Sequence, residues 1–210
     1  MLLPMGHLEN AGSTQPLEFW LQDLERRRAL MKPEHTMRGF FFNGLMENIR
    51  TLGDEALARR CLEACGEERF VDFFNYSVQL LPPILRTSLP LLAERHGGGE
   101  NALRQVGRRA SSDFMASVAG KAMLMLAQNR PRPLINSIPS AFRVGMSFSH
   151  AELTWMGPTR GRLQMDISYM PPPFHEGMVR YMLEATSAQG IQVTARATGE
   201  LLITCDFSWE

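Results

Sequence analysis

The chain has 210 residues, 44% of them apolar, which is enough to bury one substantial core with an appendage. Its 22 basic and 22 acidic residues cancel, so the overall balance gives no support to a nucleic-acid or anionic-membrane surface. Three cysteines are too few, and odd in number, for a disulfide framework, and no apolar run is long enough for a membrane span. A reducing, cytoplasmic setting is expected.

Residues 1–35 read as a mobile tail followed by a short amphipathic helix. Pro16 opens that helix, Leu17, Trp20, Leu21 and Leu24 share one face, and Arg26, Arg27 and Arg28 come after it. Docking on its own domain is the expected fate of this helix. Residues 36–210 read as a single α+β domain. In Thr36–Leu52, a cluster of Phe40, Phe41 and Phe42 precedes Leu45, Met46, Ile49 and Leu52 at helical spacing. Asp54 is a good N-cap for the next helix, where Leu57, Cys61 and Cys65 share a face. Two cysteines four apart could supply half a metal site, but there is no second pair at ligand spacing. They read as small buried hydrophobes, and no metal site is expected.

Phe70, Val71, Phe73 and Phe74 form another apolar knot, after which Asn75 starts a helical stretch. Pro82 and Pro83 are expected to break it, and Pro90 to kink or end the segment beyond them. Gly97, Gly98 and Gly99 make a joint. They lack the Gly-Lys-Ser/Thr and the preceding strand of a phosphate loop. The next stretch, Asn101–Gln128, organises the rest. Leu103, Val106, Ala110, Phe114, Val118, Ala122 and Met125 draw one stripe along a single long central helix. Its end, Ala122 to Leu126, is apolar on every side, which predicts a symmetric homodimer that covers it.

Near Gly145 the hydrophobic period changes from 3.6 to 2. Ala151, Leu153 and Trp155, then Leu163, Met165, Ile167 and Tyr169, alternate with polar residues and predict a hairpin turned by Gly157–Pro158. Pro171–Pro173 end the second strand. Phe174, Met178 and Met182 mark a crossover helix, and two further strands run through Ile191–Ala197 and Leu201–Trp209. The expected fold is a helical N-terminal half around the central helix. A four-stranded antiparallel sheet in ββαββ order then runs from about Phe148 to Trp209, with helices on one face.

The segments RGFFFNG (Arg38–Gly44), FVDFFNYS (Phe70–Ser77), LRQVGRRA (Leu103–Ala110), NSIPSAFR (Asn136–Arg143), WMGPTRG (Trp155–Gly161), MPPPFHEG (Met170–Gly177) and the ending FSWE carry a family resemblance. Over roughly residues 36–210 the chain resembles a myxobacterial paralogous family of unknown function. More distantly, its layout is similar to the vinyl-reductase-type and haem-nitric-oxide-associated domains that share a fold with trafficking-complex subunits. That wider resemblance implies a homodimer and an apolar pocket for a lipid-like or tetrapyrrole-like molecule. The C-terminal cysteine cluster of some members is missing, since only Cys205 lies in the last strand.

His175, where the proline run meets the crossover helix, could act as acid, base or polar anchor because its pKa lies near neutrality. A structural histidine bonded to a carbonyl is the bland alternative. Phe114, Trp155, Tyr169 and Met178 could wall an apolar pocket beside it. No nucleophile or metal constellation accompanies these residues. The expected function is therefore a non-catalytic small-molecule-binding or regulatory module with no assigned cofactor. An enzyme using His175 on a hydrophobic substrate, and a protein–protein module, are the alternatives.

Overall fold

The computed structural model describes residues 15–210; the tail expected at residues 1–14 lies outside them. In chain order the elements are α1 (Leu17–Ala29), β1 (Thr36–Arg38), α2 (Gly39–Leu52), α3 (Glu55–Cys65) and β2 (Asn75–Ser77), then a short 3-10 turn at Val78–Leu80. Next come α4 (Leu81–His96), α5 (Gly99–Ala116), α6 (Val118–Ala127), α7 (Pro131–Asn136) and α8 (Ile138–Gly145). The C-terminal part is β3 (Ala151–Trp155), β4 (Arg160–Met165), α9 (Pro172–Glu184), β5 (Gln192–Ala197) and β6 (Ile203–Ser208).

The four long strands form one antiparallel sheet ordered β3-β4-β6-β5, the ββαββ arrangement expected from the alternating pattern. One face is polar, where Asp206 bonds both Arg162 and Arg196. These two guanidiniums hold the Asp206 carboxyl below the ordinary carboxylate range. Leu163, Met165, Val193, Ile203, Cys205 and Phe207 fill the other face and pack with Val179, Met182 and Leu183 of α9. A second core joins α1–α5 through Phe42, Ile49, Leu57, Leu85, Leu92 and Leu103.

The crossing of α5 and α9 ties the two halves together. A Cβ at Gly107 would collide with the Phe174 carbonyl, and one at Gly177 with the Arg104 carbonyl. The two helices therefore meet backbone to backbone, and only glycine permits it. The Arg104–Glu176 and Arg108–Glu184 ion pairs flank the seam.

Several local expectations are corrected. The central helix breaks at Ser117, whose backbone is extended (φ −68°, ψ 166°). Its hydroxyl accepts from the Gly120 amide at 3.1 Å and so starts α6 as a separate helix. The break resets the helical phase: α6 buries Gly120 and Ala127, while Val118, Met125 and Leu126 stand 88%, 78% and 81% exposed. Pro82 and Pro83 occupy the first turn of α4, where a missing N–H costs nothing. Pro90 is tolerated inside α4, held by the buried Leu85, Leu89 and Leu92. Asn75–Ser77, where a helical stretch is expected to start, instead pairs with Thr36–Arg38 as a short antiparallel ribbon. The second long strand stops at Met165 and does not reach Tyr169. Asp166 there accepts from the amides of His150 and Ile167, which turns the chain away from the sheet. The triple glycine is the helix joint expected, with Gly97 in the left-handed region (φ 74°) closing α4.

Candidate functional site

Arg27 lies seven residues after Trp20 and three after Leu24, on the buried stripe of α1 and not on its wet face. Only 2% of it is exposed. Its Nε donates to Asp23 Oδ2 at 2.7 Å, and an Nη donates to the Ser168 carbonyl at 2.8 Å. Ser168 belongs to the segment that peels off after β4, and its Oγ lies 2.6 Å from Nε2 of His175 in the first turn of α9. His175 is 3% exposed, and its Nδ1 has no hydrogen-bond partner. Asp23, Arg27, Ser168 and His175 thus form a polar cluster where α1, the loop and α9 meet.

The hydrogen-bond inventory leads us to assign one tautomer. A serine hydroxyl has one proton to give and two lone pairs to fill. Ser168 Oγ donates to the Met170 carbonyl at 3.0 Å and accepts from the Met170 amide at 3.3 Å. The contact at 2.6 Å is then filled by an Nε2–H donor, which leaves Nδ1 as a bare acceptor. Burial, with the Arg27 charge beside it, lowers the His175 pKa from 6.5 to about 3, against a smaller opposing pull from the Met170 carbonyl. The ring is neutral at pH 7. In this assignment the Ser168 proton points to a carbonyl and not to the imidazole.

The five residues expected at the site divide between the two cores. Phe114, Trp155 and Met178 pack against the C-terminal cluster. Trp155 donates its Nε1 proton to Asn136 at 2.9 Å and lies under the Arg132 guanidinium at 4.1 Å. Tyr169 is buried in the N-terminal cluster, 2.7 Å from His35 Nδ1 and beside Phe148. Burial raises its phenol pKa. His175 stands at the seam. Two open recesses, of about 650 Å³ along α1 and Arg86 and about 450 Å³ around Asn43 and Phe70–Phe73, are lined by none of the five. The thiols of Cys61 and Cys65 on α3 and of Cys205 are free, and burial pushes Cys61 up to about 12.

Sequence reading missed Arg27, Asp23 and Ser168. The signal for Arg27 was present, because it continues the Trp20–Leu24 spacing. Ser168 had none, since its position depends on where β4 ends.

None of the curated proteins matches the chain in sequence. Solved structures show what its fold resembles. A mutant of the H-NOX protein of T. Tengcongensis matches with a TM-score of 0.66 and 13% identity, covering 83% of this chain and 98% of that one. The Fe(II) unliganded H-NOX protein from K. algicida matches at 0.65 and 11%, over 83% and 97%. An oxygen-binding H-NOX domain related to soluble guanylate cyclases matches at 0.63 and 10%, over 83% and 95%. At such identities the likeness is one of fold. In sequence, residues 30–210 match the family model described as Protein of unknown function (DUF2378), and the chain belongs to that family.

Proposed function

We propose that this chain is a non-catalytic regulatory module that takes up a mostly apolar small molecule, with the molecule's polar end received by His175 when α1 lifts. The observation that carries this reading is the buried Nδ1 of His175, which has no hydrogen-bond partner and is assigned as an acceptor. An unpaired buried polar atom is costly and asks for a partner. An acceptor asks for a donor, so the favoured ligand ends in a hydroxyl or a protonated acid. α1 lies outside the family match at residues 30–210, and its Arg27 seals the cluster, so this helix is the natural cover. The three free thiols support a reducing compartment.

Heme, named for structures of the H-NOX fold, does not suit the residues present. An axial ligand needs a free donor facing an opening wide enough for the macrocycle. The glycine-mediated contact of α5 with α9 leaves no slot between those helices. His175, although its Nδ1 is unpartnered, is 3% exposed and lines neither recess, while Nδ1 of His35 lies on Tyr169 and Nε2 of His96 on the Leu52 carbonyl. Haemin titrated into the protein should therefore give no spectrum of iron ligated by His35, His96 or His175.

Thermal shift with long-chain alcohols against their methyl ethers tests the ligand class. The alcohol should stabilise the protein and the ether should bind about tenfold more weakly, the worth of one hydrogen bond. His175→Gln should erase that difference. Equal effects of alcohol and ether, or none, would overturn the reading.

A further inference from the structure

The charge balance of the chain conceals a segregation. From Phe114 to Ala151 there is no aspartate or glutamate, while Lys121, Arg130, Arg132 and Arg143 all fall within the stretch. Taking those four from the 22 basic residues leaves 18 against 22 acidic ones, so the segment carries +4 and the remainder −4. All four cations are exposed, and among the described residues none has a carboxylate partner. The segment comprises α6, α7 and α8, which are consecutive and pack in sequence.

On this basic segment sit apolar side chains that the fold leaves outside. α6 presents Val118, Ala122, Met125 and Leu126 outward while Gly120, Met123, Leu124 and Ala127 face the core, so it is apolar on its outer side as well as its inner one. Val144, next to Arg143 on α8, is exposed as well. An outward apolar helix is a docking face. A second copy of the chain would complete it only by bringing two +4 segments together across a twofold axis. No helix among the described residues is long and apolar enough to cross a membrane. Apolar side chains set among cations that have no carboxylate partner, with no acid nearby in sequence, suit a negatively charged surface that has an apolar interior.

We propose that α6 to α8 form a peripheral docking face for an anionic lipid bilayer, with Met125 and Leu126 entering the acyl boundary while Lys121, Arg130, Arg132 and Arg143 lie at the headgroups. This placement of the protein is independent of any ligand at His175.

Co-sedimentation of the full chain with vesicles tests it. Binding is expected to vesicles of phosphatidylcholine with about 30% phosphatidylserine and to be near zero on phosphatidylcholine alone. Raising salt from about 0.1 M to about 0.5 M should release most of the protein. Met125→Glu with Leu126→Glu should abolish binding while leaving circular dichroism unchanged. Lys121→Gln with Arg143→Gln, which spares the apolar residues, should weaken it roughly 25-fold at low salt. Binding that ignores phosphatidylserine, or no binding to either vesicle, would overturn the proposal. So would sedimentation showing a wild-type dimer that the Met125/Leu126 variant splits, because a second copy would then be the occupant.

Discussion

Lowering the pH from 7 to 5 should weaken the fold through His175 in particular. In the folded protein this ring has a pKa of about 3, against 6.5 when solvated, so the native state refuses a proton that the unfolded chain accepts. That difference sets the sign. Above about pH 6.5 neither state is protonated and His175 contributes no pH dependence. Below it, the unfolded state gains a stabilising proton, and native stability falls until the pH reaches the folded value near 3. Between pH 7 and 5 the loss from this one group is about 2 kcal/mol, from 1.36 kcal/mol per unit over roughly one and a half units. His175→Gln keeps an N–H for Ser168 Oγ and removes the titration. Urea unfolding of both proteins at the two pH values, with m checked for constancy, isolates the effect as a difference in which other groups cancel. Wild type should lose about 2 kcal/mol more than the variant. Equal losses would refute the claim that His175 is buried neutral beside Arg27.

Arg27→Met should destabilise the protein by roughly 1.5–3 kcal/mol in urea unfolding, since it strips a charged donor from the Ser168 carbonyl and leaves Asp23 with only Arg26. Gly107→Ala should cost at least about 1–3 kcal/mol, because the added methyl meets the Phe174 carbonyl and α5 must retreat from α9. Ser117→Ala should cost about 1 kcal/mol through loss of the α6 cap, with thermal unfolding as the readout. Asn48 is fully buried on α2 and neither amide atom is paired. Asn48→Leu should therefore stabilise the fold by about 1–3 kcal/mol, and a loss of stability would mean that the amide is satisfied after all.

The sheet was the most legible part of the chain. Period-2 alternation in 151–155, 163–165, 192–197 and 203–208 is a strong local pattern, and one wet face makes it visible. The buried faces of α2, α3 and the first part of the central helix were legible for the same reason. The Ser117 break was not, because serine is an ordinary helix residue and becomes a boundary only when its hydroxyl caps the next turn. The proline errors have one cause. Pro82 and Pro83 begin a helix rather than break one, and sequence spacing does not reveal where the first turn falls. At the site, His175 stands out by residue type and position, whereas Arg27 comes from an element far away in the chain and Ser168, seven residues before His175, is placed only by where β4 ends. Tyr169 was placed with Trp155 by extending an alternation past Met165, and the Asp166 turn ends that strand first. A net charge of zero does not say how the charges are distributed, and the acid-free stretch from Phe114 to Ala151 is visible only residue by residue.

Native mass spectrometry of the freshly purified full chain, set beside His175→Gln, tests most directly whether the protein is a small-molecule module anchored at His175. A wild-type population carrying a bound apolar molecule with a hydroxyl or acid group, absent from the variant, is the predicted result. A wild-type protein that is ligand-free both as purified and after incubation with long-chain alcohols, or an adduct that the variant keeps, would contradict it.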